Sequence, residues 1–427
     1  MTLEPVHIKE IHDLVSRIDS CLRNDESDDD DTDSVKDILK LLGELRYEGK
    51  TVLKAIGKVK RGKASIERMI GSEDPFGISY ACDSGSTTAR TFDNGLYVDF
   101  CHCALASSPT DLEIHNMRTI VAATYTASRK VTIDTSSNWE LFDSGAGRKK
   151  IIRIQPGILN KKTNDMLHDI ALYLCESEHL LWMLEKMQDE SFLIMDGPIY
   201  PKRLMYWMVV ASDDIQIRTD PHSEKVLQNY IDIMDHHIGT QKPLVGFVKN
   251  PEDMQIMQIL KKKESDLDLP WMLDAQFFKN ALSPEKAGIK SKDARKYITY
   301  TNWFLQPNQF YEKMINTTSP LVRDKLSHKF PAEDYSLAFF MVLVPSMNTI
   351  FKIESPYGLV KNEDMRKLIT RKVLYDIALN GIPKTLSKAD SVAKIQLSER
   401  RQIIDRFKNS RIDTNYNDIR WGEMDER

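Results

Sequence analysis

The chain has 427 residues, a net charge of -4 and 41% apolar residues, enough to fill one large core or two ordinary ones. Its isoelectric point near 6.2 excludes binding of nucleic acid through the overall field, which leaves that task to local basic patches. Five irregularly spaced cysteines (21, 82, 101, 103 and 175) argue against a disulfide framework and for a reducing cytoplasm. The charged start MTLEPVHIKEIHD has no signal-peptide core, and no apolar run reaches membrane-spanning length. A soluble, cytoplasmic protein without membrane contact is expected.

In chain order, Ile8, Ile11, Val15, Ile18 and Leu22 recur at helical spacing, as do Val35, Ile38, Leu42 and Leu45, so helices are predicted over 5–22 and 34–47. Between them NDESDDDDTDS, residues 24–34, reads as a solvated acidic linker. Residues 1–75 are expected to form an N-terminal helical region. From residue 76 the texture changes to FGISYACD, GLYVDFCHCALA and RTIVAATYTA, three short β-prone runs separated by polar turns that predict an antiparallel start. A helical pattern over 163–188 precedes the buried-looking strand SFLIMDGPIY, which Asp-Gly-Pro stops. A helix over 222–238 and a strand in PLVGFVKN follow. Further strands are predicted over 297–305, in SLAFFMVLVP and in TIFKIESP, then helices over 363–380 and 386–408. Residues 409–427 read as a polar tail.

Three strands, a helix and a fourth strand, with acids ending the first and fourth, is the order of a ribonuclease H-like core. The expected fold is therefore α/β: a mixed sheet flanked by helices over 76–408, with insertions. In such a core the two strand ends are neighbours, so Asp83 and Asp196 can share a divalent ion. On the intervening helix, Leu167, Ile170, Ala171, Leu174, Leu181 and Leu184 mark an apolar stripe, and Glu178 falls on it whereas Glu176 does not. A carboxylate on such a stripe is costly unless paired or metal-bound, which favours Glu178 as a third ligand. Asp390 in GIPKTLSKADSVAKI, read near the start of the last long helix, is a fourth candidate, although acids at helix starts are common for dipole reasons alone. Oxygen-only ligands suit Mn²⁺ or Mg²⁺, and two such ions about 4 Å apart can activate water and stabilise a leaving oxygen in phosphodiester cleavage.

Other readings compete. DSGSTTAR is similar to the first phosphate loop of actin-like and sugar-kinase-like ATPases, but no second glycine-rich turn and no Gly-Gly dipeptide accompany it. A catalytically inactive binding partner would use the same acids as turn and cap residues. CHC at 101–103 lacks a second Cys/His pair at finger spacing, so Cys101 and Cys103 are read as core thiols, and His236 and His237 as structural groups closing a helix. The basic runs KVKRGK, GRKK and KKK are candidate phosphate contacts, with Trp139 available for stacking. Arg148, Lys149 and Lys150 belong to GRKK. Arg90 and Lys249 follow proposed active-site strands, and Lys249 is placed to meet a phosphate.

The stretches ACDSGSTTARTFDNGLYVDFCHCALA, ALYLCESEHLLW, FLIMDGPIYP, PLVGFVKNPED, FKIESPYG and GIPKTLSKADSVAKI together resemble the archaeal NurA nucleases, especially longer versions with a start like MTLEPVHIKEIHDLVSRI. The resemblance runs from the N-terminus to about residue 396. It implies a ribonuclease H-like domain in a ring-shaped homodimer and a manganese-dependent nuclease acting on DNA ends in double-strand break repair. It also implies 5′-to-3′ exonuclease and single-strand endonuclease activity and a hexameric HerA-type translocase as partner. Carried over by position, it assigns Asp83, Glu178, Asp196 and Asp390 as catalytic metal ligands. Two departures stand out: Gly381, Ile382 and Pro383 replace a Gly-Tyr-Pro, and Asp390 stands where histidine is frequent, able to bind metal but not to act as a cation toward phosphate.

Overall fold

A computed structural model describes residues 4–25, 39–87, 90–92, 95–126, 133–154, 163–205, 220–264, 269–307, 326–404 and 406. The acidic run from residue 26 onward and the polar tail at 409–427 lie outside them. Helix α1 (Pro5–Asp25) forms as its spacing predicts, and Ile8, Ile11, Val15 and Ile18 on it are exposed.

The second predicted helix does not run to residue 47. Of its described residues, 39–47, only 39–41 are helical, and 34–38 lie outside the described residues. Strand β1 (Glu44–Tyr47) then pairs antiparallel with β2 (Lys50–Ala55), turning through Glu48 at φ 49° and Gly49 at φ 76°. Leu45, whose spacing from Leu42 suits a helix, instead faces Leu53 across this hairpin, both fully buried. The turn residues override the helical spacing, because positive φ at Gly49 carries little steric penalty. With β3 (Arg61–Ser65) these strands join the main sheet, so residues 44–65 are not part of a helical extension.

The antiparallel start is as expected: β4 (Ile78–Ser86), β6 (Tyr97–Ser108) and β7 (Arg118–Tyr125) pair in sequence, and β5 (Arg90–Thr91) adds to β6. Short β8 (Glu140–Leu141) pairs with β9 (Gly147–Arg153), which runs parallel to β7. Helix α2 (Thr163–Met183) crosses to β10 (Ser191–Asp196), which lies parallel beside β4. Helix α3 (Pro221–Thr240) leads to β11 (Leu244–Val248), parallel to β10. The order β7-β6-β4-β10-β11 is the ribonuclease H-like arrangement. Beyond β11 lie β15 (Thr349–Pro356) and β14 (Leu337–Val344), which continue through β13 (Phe304–Gln306) to the N-terminal hairpin. A branch through β12 (Tyr297–Thr301) reaches β3.

Both faces of the centre are covered. Helix α2 packs on β4, β6 and β7, and α3 packs in turn on α2. Among the helices after the last strand are α4 (Glu363–Asn380) and α5 (Lys384–Ala393). The single helix predicted over 386–408 is broken, since α5 ends at Ala393 and a separate helix runs over Leu397–Ile404. Alternation along a strand sends neighbours to opposite faces. Cys101 lies on the α2 side, where the Cys175 thiol donates to its carbonyl, while His102 Nε2 donates to the Ala393 carbonyl at 2.7 Å on the α5 side.

Two local features hold this centre. A Cβ added to Gly85 would lie 2.0 Å from the Ala393 carbonyl oxygen, so only glycine lets α5 settle so close to β4. The loop after β10 turns at Gly197, φ 108°, and is anchored by buried Glu354, which accepts from the Ile199 amide at 3.2 Å and from Lys202 at 2.7 Å. Lys352 bridges Glu354 and Asp253.

Gly85→Ala is expected to destabilise the protein by about 1–3 kcal/mol in urea titration through this clash. Glu354→Ala, which strands Lys352 beside Asp253 alone and frees the loop, is expected to cost about 3–5 kcal/mol by the same measurement. A wild-type midpoint in either variant would contradict the packing described.

Candidate metal centre

Strands β4 and β10 run parallel with Cys82 beside Met195, so the next residues, Asp83 and Asp196, emerge side by side on the α5 face. Helix α5 then brings Asp390 to them: carboxylate oxygens of Asp83, Asp196 and Asp390 lie within 4.8 Å of one another. Asp390 is exposed and opens the group to solvent. It is the seventh residue of a ten-residue helix rather than a helix-start acid, and the Lys394 amide closes the turn on its carbonyl at 3.0 Å. Near a helix C-terminus the dipole disfavours a carboxylate, so no capping role explains it.

Asp83 accepts from the Ser84 amide at 2.7 Å, and Asp196 is paired with Lys249 at 2.6 Å. Burial, with the charge of Asp196 next, pushes the Asp83 carboxyl up to about 6. Burial also raises Asp196, against the opposing pull of Lys249. Carboxylates crowded in this way hold protons until a cation replaces them, and an all-oxygen set fits Mn²⁺ or Mg²⁺.

The helical glutamate expected here is displaced by two positions. Glu178 points to a different cluster, accepting from Trp139 Nε1 and Asn229 Nδ2, each at 3.1 Å, and pairing with Arg148 at 3.4 Å. Glu176 is the buried acid beside the aspartates: Ser84 Oγ donates to it at 3.2 Å. Burial, followed by the charge of Asp83, raises its carboxyl to about 8. The stripe misleads because α2 is covered twice, by the sheet and by α3, so an inward position need not face the strands. Cys175, whose thiol donates to carbonyls of β6 and β7, marks the sheet side and is the sequence signal adjacent to Glu176. Ser84 and Cys103 are register partners on that side, whereas Asp83 sits on the other, so Glu176 meets the aspartates' strand from the opposite face, through Ser84.

The remaining candidates separate. Arg148 is buried, stacked over Trp139 at 4.2 Å and Trp182 at 4.8 Å, and donates to the Glu178 carbonyl. It is structural and not free to meet DNA. Lys149 is exposed near Glu140, and Lys150 lies 5.8 Å over Trp139. Lys249 does stand at the strand exit against Asp196. Arg90 opens β5, and its side chain lies outside the described residues. Residues Ser84 to Ser86 are not a turn: β4 continues in register with β6 through Ser86. Backbone paired in a ladder is not a phosphate-cradling loop, which counts against the ATPase reading over these three residues; residues 88 and 89 of the motif lie outside the described ones.

No curated protein matches the chain. Among solved structures it is similar to the NurA nuclease from Sulfolobus solfataricus, at 12% identity and TM-score 0.46 over 96% of this chain and 97% of that one. A NurA structure with manganese aligns at 10% identity and TM-score 0.45 over 90% and 97%. Another, bound to dAMP and manganese, aligns at 10% and 0.46 over 93% and 96%. The family model described as the NurA domain matches residues 78–395, from the first residue of β4 to just beyond α5, and the chain belongs to the NurA domain family.

Proposed function

We propose that this protein is a metal-dependent deoxyribonuclease in which Asp83, Asp196 and Asp390 hold Mn²⁺ or Mg²⁺, with Glu176 as the supporting helical carboxylate. The observation that carries this reading is the convergence of three carboxylates from distant segments within 4.8 Å, an arrangement that mutual repulsion disfavours without a cation. Membership of the NurA family supports nuclease chemistry. Two bound ions would activate a water and stabilise the departing oxygen of a phosphodiester.

The chain's own groups do the positioning. The Ser84 amide fixes the Asp83 carboxylate, and Gly85 lets α5 present Asp390. Lys249 neutralises Asp196 and, partly exposed, offers an ammonium to an incoming phosphate. Lys149 and Lys150 extend a cationic edge along β9 for the DNA backbone. The family resemblance further supports 5′-to-3′ exonuclease and single-strand endonuclease action on DNA ends in double-strand break repair. It supports likewise an archaeal, cytoplasmic homodimer working with a HerA-type translocase. No helix among the described residues is long and apolar enough to cross a membrane.

With linear DNA and Mn²⁺, Asp83→Ala and Asp196→Ala are expected to abolish cleavage. Glu176→Gln should slow it about 10–100-fold, while Glu178→Gln changes it far less. Undiminished cleavage by either aspartate variant removes this centre, and a larger loss in Glu178→Gln reverses the assignment on α2.

The raised carboxyls also set a pH dependence. An acid whose folded pKa is raised takes up a proton on folding. The metal-free protein therefore loses stability as pH climbs from the ordinary carboxylate range through about 6 for Asp83 and about 8 for Glu176. Mn²⁺ binds the ionised forms, so the rise in Tm on adding it should be larger near pH 8 than near pH 6 and should vanish in Asp83→Asn. A Tm increment independent of pH would contradict the proton–metal exchange.

A further inference from the structure

A second group of ligating atoms lies away from the aspartates. Asp99 and Cys101 are two residues apart on β6, both fully buried and on the α2 face, and His168 reaches them from α2. An Asp99 oxygen, the Cys101 sulfur and a His168 ring nitrogen fall within 4.8 Å of one another. His168 Nδ1 stands 2.6 Å from Asp99 Oδ2, and its side chain is 25% exposed. Cys101 pairs with Ser86 and Ala104 pairs with Asp83, which puts the two groups roughly 10 Å apart along the strand and on opposite faces of the sheet.

An Asp–His ion pair clamping α2 to β6 explains only part of this cluster. Asp99 Oδ1 is buried without a hydrogen-bond partner at ordinary geometry, although buried carboxylate oxygens are ordinarily satisfied, and the Cys101 thiol, besides His168, interacts with this carboxylate. The free thiol of Cys101 is within the same reach. We propose that Asp99, Cys101 and His168 form a zinc site, separate from the aspartate centre, that fastens α2 to β6. Sulfur and imidazole donors select zinc over manganese or magnesium, whereas the aspartate group is all oxygen and selects the reverse. The exposed edge of His168 leaves the fourth tetrahedral position to water. Because Glu176 follows His168 on α2 by eight residues, about 12 Å along the helix, zinc here would hold the helix that supports the catalytic group without entering it.

The test uses the full chain with Asp83→Ala and Asp196→Ala, which removes the oxygen site from the count. Stripped with chelator, reloaded with zinc alone and passed through gel filtration, it should retain one equivalent per chain, and adding Cys101→Ser or His168→Ala should remove it. Cobalt in place of zinc should give a thiolate-to-metal charge-transfer band in the chain that keeps Cys101, which reports sulfur ligation without relying on how well a Cys101 variant folds. No retained zinc, equal retention with and without Cys101, or cobalt loading without the thiolate band would each overturn the site.

Discussion

Parallel pairing of β4 with β10, in the register that sets Cys82 beside Met195, is the constraint on which the rest of this structure depends. It brings Asp83 and Asp196 out together at adjacent strands, from positions more than a hundred residues apart. Ligand sites in open α/β sheets form at the carboxyl ends of strands, and β10 stops at Asp196 because Gly197 turns the chain. The Lys202–Glu354–Lys352 network, centred on buried Glu354, then holds the loop that leaves this point. Like charges forced together raise one another's affinity for protons, and a divalent cation relieves the same repulsion.

Helices on the two faces complete the site unequally. Helix α5 approaches β4 closely enough that its Ala393 carbonyl occupies the space a side chain at Gly85 would need, and so Asp390 joins the aspartates directly. Helix α2 approaches from the other face, and Glu176 reaches the centre through Ser84. The third side chain of the convergent group is therefore the late aspartate rather than the helical glutamate. Glu178 and Arg148, stacked between Trp139 and Trp182, instead tie α2 to β9 and α3.

Much of this was legible in the sequence, for identifiable reasons. Strands such as ISYACD and SFLIMD announce themselves by β-branched and aromatic residues, and an acid at the end of a buried run survives as a signal however far apart the two runs lie. The choice between Glu176 and Glu178 was not legible, because periodicity records that a helix has an inward stripe but not which neighbour covers it. With the sheet on one side and α3 on the other, Ser177, bonded to Asn229, and Cys175, bonded to β6 and β7 carbonyls, are both buried while facing different layers. The β1–β2 hairpin was hidden for a related reason: Leu42 and Leu45 fit helical spacing, and only the Glu48–Gly49 turn and the distant partner Leu53 decide otherwise. Gly85 inside DSGS reads as turn chemistry or a phosphate loop, since a glycine placed for close approach of a helix leaves no local mark.

Crystals grown with Mn²⁺ and measured at the manganese absorption edge test the central claim most directly. The account predicts anomalous density bounded by carboxylate oxygens of Asp83, Asp196 and Asp390, with Glu176 still bonded to Ser84 and Glu178 still paired with Arg148. Density centred on Glu178, or no ordered manganese among the three aspartates at saturating metal, would contradict it.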